Sequence, residues 1–478
     1  MAHASSEPRR MKLSAGDVEE LRKRVAGSIV LVDDDGYEAA RHVWNGVIDR
    51  RPALIVQCTG PADVIAAVDF ARDRKLPASV RGGGHNVAGT AVCDDGVVID
   101  LSRMHGVRVD PIRKTARVEG GATLGRLDHE AQAFGLAAPA GLMSETGIAG
   151  LTLHGGLGFL TRRLGLTCDN LVAADVVTAD GRLVVADEMQ NSDLLWALRG
   201  GGGNFGVVTS FEFKLHSVGP EVWMGLVMYP AADAPRLLSF FRDFMAKAPD
   251  ELMAIAVFWN TPHDESVPEA ARNQPTLVFG ACWSGPMEEG EAAVRPLREA
   301  GTPFVDLSGP MPFVDAQKLF DPEYPNGRRY YWKSIYLGDL NDGTIESLAA
   351  LSAARPSPIS SLDIWALGGA MARVPADHGA FRGRVAPFLL GIEANWDDAG
   401  ADEVNIAWAR RAFREMEQRF PEAGAYLNFA GFAEEGDKLL KRSFEDNLAR
   451  LQAIKAKYDP ENFFRSNLNI VPRHAVVA

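Results

Sequence analysis

The sequence predicts an α+β fold of at least two packed units, the second a mixed sheet-and-helix domain. Three observations carry that expectation. The chain has 478 residues, more than one hydrophobic core ordinarily serves. Up to about residue 218, segments of helical and strand period alternate. After about Pro220, long apolar strand-like runs separated by helical patterns take over, and near the end helix and loop return. The expected division is 1–218, 219–424 and 425–478, with the last segment folding back on the first unit.

The elements follow in order. The polar stretch 1–12 predicts a loose tail. "TGPADVIAAVDFARDRKLPASVR" (59–81) predicts a helix leading into a strand. Thr59 can cap that helix, Pro61 suits its first turn, and Val64, Ile65, Val68 and Phe70 make an apolar face. "GVVIDLSRM" reads as a strand, and "TARVEGGATLGRLDHEAQAFGL" as strand, turn and helix. "LVAADVVTADGRLVVAD" (171–187) reads as a hairpin turning at Asp180 and Gly181. "DLLWALRGGGGNFGVVTSFEFKL" gives a short helix, a glycine loop and an alternating strand. In the second unit "VWMGLVMYP", "MAIAVFW", "TLVFGACW", "RRYYWKSIYL" and "SLDIWALGGAMARV" are strand-like, while "LLSFFRDFMAKA" and the region 402–419 are helical. A closing helix ends at "AKYDPENFFRSNLNIVP".

Composition excludes several function classes. Hydrophobic residues are 46% and charged residues 24%, the balance of a soluble globular chain. Lys and Arg number 50 against 63 Asp and Glu, a formal net charge of -13, which argues against a nucleic-acid partner. Backbone N–H groups can still hold a phosphate-bearing ligand without net positive charge. Cys58, Cys93, Cys168 and Cys282 are widely spaced and form no CxxC pair, so neither a disulfide framework nor a zinc site is expected. No run reaches membrane-spanning length, and the amino terminus has no apolar core, so a cytoplasmic protein with no membrane partner is expected.

Three glycine-rich sites stand out, at 82–84, 155–158 and 200–203. The third gives a formal G-x-G-x-x-G match at Gly201, Gly203 and Gly206. It is rejected as a nucleotide fingerprint, because that motif must follow a strand and open a helix, whereas here a helix precedes and a strand follows. The first site, "SVRGGGHNVAGTAV" (79–92), runs from a strand end into glycines whose N–H groups can point one way as an anion nest. Arg81 can add charge there or pin the loop to a nearby carboxylate. The alternative reading is a tight turn using the positive φ that glycine permits. His85, unshielded by bulky neighbours, should be accessible to whatever the loop holds, and no second histidine lies at metal-ligand spacing.

Taken together, "RGGGHNVAGTAVCDDGVVIDLSRM", "GLTCDNLVAADVVTADGRLVVAD", "DLLWALRGGGGNFGVVTSFEF" and "YDPENFFRSNLNI" resemble the FAD-linked oxidases of the vanillyl-alcohol-oxidase type, and within them the berberine-bridge-enzyme group. The resemblance runs from about residue 48 to 472, with four motifs in the family's order. It implies a two-domain FAD-binding (PCMH-type) fold whose FAD domain comprises the first and last segments, with a substrate domain between. It also implies FAD attached covalently through His85 to the flavin 8α carbon. By the same resemblance Arg81, Gly82, Gly83, Gly84, Asn86 and Gly89 would wrap the cofactor. So would Ser144, Thr146, Gly147, Gly150, Gly155, Gly156 and Gly158. Asp169 and Asn170 of "GLTCDN" belong to the set, as do Val208 on the adenine side and Asn467 and Asn469 of the terminal motif; those two asparagines could equally cap loop backbone.

Some relatives add a cysteinyl link to flavin C6. The matching segment "GLMSETGIAGL" (141–151) puts Met143 at that position, and a thioether cannot replace a thiolate, so a single histidyl link is expected. Cys168 lies in a different motif and is expected as a small buried residue. Thr146 falls where oxygen-reactive relatives carry valine, which favours an oxidase with O2 as acceptor. His154 departs from the small or amide residue usual in the family.

A flavin oxidase takes a hydride from a substrate C–H while a base removes the partner proton. Tyr331 and Lys333 would share one face of a strand, where the ammonium could favour a phenolate; the alternative is that Tyr330 and Tyr331 pack a sheet. "AYLNF" resembles the family's Y-x-N-Y stretch, keeping Tyr426 but replacing the second tyrosine by Phe429. Asp363, a carboxylate inside an apolar run, needs a partner. The expected catalytic set is therefore Tyr426, Tyr331, Lys333 and Asp363. The expected activity is oxidation of a small-molecule alcohol or amine by covalent FAD with release of H2O2, in a chain that could dimerise. The alternatives are a dehydrogenase of the same fold using another acceptor, an oligosaccharide oxidase, and a non-catalytic flavin-binding protein.

Overall fold

The structure, a computed structural model, describes residues 13–263, 265, 267–432 and 436–473. The stretch 1–12, expected as a tail, lies outside the described residues. The first part of the chain builds two sheets. One has the order Ser28–Leu31, Leu54–Gln57, Val97–Asp100, Ala78–Arg81, the last three parallel. The helix Pro61–Asp73 makes the crossover between two of these strands, burying Val64, Val68 and Phe70. Its cap differs from the expectation. Gly60 is the N-cap, and Asp63 reaches back to accept from Thr59 N at 2.8 Å and Thr59 Oγ1 at 2.9 Å. No side chain caps the helix's own N–H groups, and the Asp63 carboxylate instead fastens the turn that enters it.

The second sheet is antiparallel, in the order Val107–Asp110, Thr115–Glu119, Val207–Lys214, Leu171–Val177, Leu183–Ala186. The expected hairpin at 171–187 is present, and Gly181 supplies φ +79° at its turn.

From Glu221 to Trp396 the chain makes an eight-stranded antiparallel sheet. Across it run Val305–Asp306, Glu221–Pro230, Pro275–Trp283, Leu252–Asn260, Ser361–Ala366, Phe388–Trp396 and Arg329–Leu337, while Gly309–Pro312 pairs with Glu221–Pro230 at the edge. Strand alternation assigns each face. Val227, Tyr229, Ala254, Ala256, Phe258, Phe279 and Tyr331 join a core under the helices, which include Ala234–Met245, Met287–Arg298, Asp342–Ala353 and Asp402–Arg419. Met228, Ile255, Val257, Val278 and Trp332 point the other way, into a cavity between the large sheet and the first part of the chain.

The closing segment returns to the first core. Leu451 and Ile454 of the helix Asn447–Tyr458 pack with Trp196, Leu198 and Phe205. Lys455, fully buried, pairs with Asp459 at 2.5 Å and donates to Asn204 O at 2.7 Å and Phe464 O at 2.9 Å. A buried ammonium is tolerated only with this degree of satisfaction. It ties the terminal strap to the glycine loop at 200–206. That loop runs from helix to strand, the order on which the nucleotide fingerprint was rejected.

Candidate active site

The cavity has a volume of about 490 Å³ and is floored by glycines. A Cβ on Gly83 would lie 2.5 Å from Gly147 Cα and N, and one on Gly147 would lie 2.4 Å from Gly83 N. The loops at 82–84 and 146–150 therefore touch backbone to backbone, an approach that a side chain at Gly83 or Gly147 would prevent. Gly82, Gly83, Gly84, His85, Asn86, Thr146, Gly147, Gly150, Val208 and Asn467 all line the cavity. Alanine at Gly83 is expected to destabilise the fold by about 1–3 kcal/mol through overpacking, read as a lower Tm, and to weaken ligand retention by parting the loops.

Other residues of the expected cofactor set do not reach the cavity, for physical reasons. Arg81 turns away to donate to Ala40 O at 2.5 Å and Arg41 O at 3.2 Å, with Asp100 at 3.9 Å; it pins the loop to the end of the helix Tyr37–Arg41. Gly89 packs under Ile48, where a Cβ would lie 2.6 Å from Cγ1. Ser144 donates to Asp321, N to Oδ1 at 2.8 Å and Oγ to Oδ2 at 2.6 Å, joining its loop to the second unit. Gly155 and Gly156 hold φ of +120° and +90° in a tight crossing against Phe381 and Thr167, and Gly158 lies against Ala140 O. Asp169 pairs with Arg384 at 2.6 Å, and Asn170 donates to Leu164 O and Leu166 O. Asn469 is not among the lining residues.

His85 lines the cavity, and burial pushes its imidazole down to about 4, so the ring is neutral at ordinary pH. His154 also lines the cavity and is likewise pushed down to about 4 by burial. Met143 stands in the wall, whereas the Cys168 thiol is buried away from it and raised well above its usual range by burial and the charge of Asp169.

The opposite wall belongs to the large sheet. Asp363 and Glu393 lie on adjacent strands, Ser361 opposite Glu393 and Asp363 opposite Gly391. A side-chain atom on Gly391 would meet Asp363 Cβ at 3.4 Å, Phe429 Cε2 at 3.4 Å and Glu393 Oε1 at 3.5 Å, so three groups surround one spot. Burial pushes Asp363 up to about 6. Burial and the Asp363 charge raise Glu393 well above the carboxylate range. The two carboxyls titrate as a coupled pair, and the stronger upward push on Glu393 leaves Asp363 the first to ionise. Tyr324 Oη donates to Glu393 Oε2 at 2.8 Å, and Asp363 Oδ1 has no hydrogen-bond partner among the described residues. Trp332, Trp365 and Phe429 complete an aromatic wall.

Tyr426 also lines the cavity. Its Oη accepts from Gly156 N and Leu157 N, both at 3.0 Å, and from Asn428 Nδ2 at 2.8 Å. Those donors favour the phenolate, but burial outweighs them and pushes the phenol up to about 12. It is a neutral hydroxyl locked in place, a poor proton acceptor at ordinary pH.

Tyr331 and Lys333 do share a face, but the structure turns that face away from the cavity. The register sets Trp332 opposite Glu393, so Trp332 points inward and its two neighbours outward. Arg410 Nε donates to Tyr331 Oη at 3.0 Å, and Lys333 Nζ lies 4.2 Å over the Phe413 ring, both under the helix Asp402–Arg419. Sequence reasoning missed Glu393, although "FLLGIEANW" carries the same signal that singled out Asp363, a carboxylate in an apolar run. It also missed Tyr324 and Trp44, which no local pattern marks.

Comparisons with known proteins agree with this geometry. A family model described as an FAD binding domain matches residues 52–187, and one described as berberine and berberine like matches residues 425–471. An FAD-linked oxidoreductase of Dictyostelium discoideum is 33% identical over 90% of this chain and 91% of its own. The (R)-6-hydroxynicotine oxidase of Paenarthrobacter nicotinovorans is 30% identical over 94% of this chain and 97% of its own. The crystal structure of 6-hydroxy-D-nicotine oxidase from Arthrobacter nicotinovorans superposes with a TM-score of 0.84 at 28% identity, covering 94% of this chain and 98% of that one.

Proposed function

The chain belongs to the berberine-bridge-type FAD-linked oxidoreductases of the vanillyl-alcohol-oxidase type, and from that premise we propose that it is an oxidase of a small-molecule alcohol or amine, carrying FAD through a single bond to His85 and using O2 as acceptor. The observation that carries the reading is one cavity lined by His85 and a glycine wall on one side and by the buried carboxyls of Asp363 and Glu393, on adjacent strands, on the other. The residues fit the cofactor. A Cβ on the lining residues Gly150 or Gly203 would meet nothing within 4 Å and so would stand in open space, and Asn467, also in the lining, keeps a buried Oδ1 without a partner among the described residues.

When bound, FAD supplies the two-electron acceptor. The chain's own residues do the rest. Asp363, ionised above about pH 6 while Glu393 stays protonated, accepts the proton from the substrate hydroxyl or ammonium. It takes the part that the missing second tyrosine leaves open at Phe429. Trp332, Trp365 and Phe429 hold an apolar or cationic substrate body and exclude water. Thr146 on the glycine wall keeps the small profile associated with access of O2.

The deciding experiment offers a panel of small alcohols and amines and follows O2 uptake against reduction of a dye acceptor. Turnover with one H2O2 per substrate in air supports the oxidase. Turnover with the dye alone gives the dehydrogenase. If no substrate serves, the flavin is photoreduced and air is admitted; return to the oxidised form no faster than free flavin overturns the oxidase reading.

A further inference from the structure

We propose that Trp44, backed by Tyr330, is the positioning residue that holds the His85 imidazole in the orientation its bond to the flavin requires; the inference rests on the covalent attachment proposed above. His85 follows three glycines, and Gly84 sits at φ +70°. The three residues before it thus supply no side chain to hold the ring, and a mobile ring would forfeit the near-attack geometry that makes such a reaction fast.

The restraint comes from elsewhere. The Trp44 ring lies 4.1 Å from the imidazole centroid at an interplanar angle of 19°. Tyr330 stacks on the same tryptophan at 3.7 Å and 10°. Trp44 is itself clamped: Nε1 donates to Tyr324 O at 2.9 Å, its backbone N to Gly84 O at 3.2 Å, and its carbonyl accepts from Gly327 N at 2.9 Å. Asn45 bridges the same two parts, donating to Val87 O at 2.7 Å and Tyr330 O at 2.9 Å. The Trp44 and Asn45 segment therefore ties the histidine's loop to the edge strand of the large sheet. Trp44 is buried and does not line the cavity, so it acts only through His85.

Attachment replaces one C–H bond of the 8α methyl and the imidazole N–H by a C–N bond. The two electrons and two protons released pass to a two-electron acceptor, dioxygen here, which becomes H2O2. The stack makes none of these bonds. It removes the rotational freedom of the nucleophile, whose misplacement by ~1 Å can cost ~100-fold in rate.

The test uses the wild type, Trp44→Leu, Trp44→Phe and Tyr330→Leu, expressed with riboflavin in excess and harvested soon after induction. Total flavin per chain is measured in the native protein, and acid-stable flavin in the precipitated pellet. Trp44→Leu is expected to keep bound flavin while its acid-stable fraction falls by about tenfold or more, in line with a ring displaced by a fraction of an ångström. Trp44→Phe should restore most of that fraction, and Tyr330→Leu should lose part of it. Full attachment in Trp44→Leu, or equal loss in the leucine and phenylalanine variants, overturns the proposal. Should Trp44→Leu fail to fold, full attachment in Tyr330→Leu overturns it instead. A wild-type pellet without flavin overturns this inference together with the attachment reading, whereas full attachment in every variant overturns this inference alone.

Discussion

Alanine at His85 should leave a protein that folds and binds FAD but gives up all of it to acid. The cradle is backbone: Gly83 and Gly147 approach each other without side chains, and neither they nor Asn467 depend on the imidazole. Non-covalent binding therefore survives the substitution while the tether is lost. The measurement is acid precipitation, with yellow colour in the wild-type pellet and in the variant's supernatant. Removing an electron-withdrawing azole from the 8α carbon also makes the bound flavin a weaker oxidant, so kcat should fall more than KM rises. Acid-stable flavin persisting in His85→Ala would sink the reading and point to His154, the other neutral imidazole of the cavity, because Met143 has no thiol and Cys168 is buried and held neutral. A stability signature accompanies the change. Burial lowers the imidazole from 6.5 to about 4, so the unfolded chain binds the extra proton first, and this group's contribution to stability is lost as pH falls from about 6.5 toward 4. Measured on flavin-free protein, in which the imidazole carries no bond, His85→Ala should flatten that limb of a Tm-against-pH curve.

The glycine wall of the cavity was legible in the sequence because it is local. Three glycines and a histidine in one loop state their need for close approach without reference to any partner. The opposite wall was legible only in fragments. Asp363 betrayed itself as a carboxylate in an apolar run, but its partner Glu393 lies on the neighbouring strand, and only the register that sets Ser361 opposite Glu393 brings them together. Tyr331 and Lys333 were placed on a common face by strand period, yet the strand Arg329–Leu337 is buried on both sides. Such a strand has no wet face to show which side is inward. Arg81 illustrates a different limit. A strand-end arginine suits an anion or a carbonyl cluster equally, and the carbonyls of Ala40 and Arg41 claim it. Trp44 carries no periodic signal at all, and its meaning arises from Tyr330 on a strand of the large sheet.

Asparagine at Asp363 is expected to lower kcat by ~10²-fold or more, the usual contribution of a positioned general base, while raising thermal stability above about pH 6. Both effects follow from the same burial. Asp363 is raised from 3.8 to about 6, so the folded chain binds this proton more tightly than the unfolded one. Its contribution is fully present below pH 3.8 and is lost as pH rises through about 6. Above that pH the fold carries an ionised carboxylate inside an apolar wall, and an amide of the same shape relieves it. In the wild type, activity should rise with pH along a limb near 6, and Asp363→Asn should abolish that limb. Glu393→Gln separates the partners. Glutamine imitates the protonated carboxyl that Glu393 presents when Asp363 ionises, so the limb should remain near 6 and most of the turnover should survive. Were the pair merely structural, Asp363→Asn would shift Tm and leave kcat and the pH profile untouched. Were Glu393 the acceptor, the loss of turnover would follow the glutamine variant. A site that accepts the substrate's proton at Asp363 must show the stability gain and the activity loss in one protein, because the desolvation that costs stability is what tunes the base toward neutral pH.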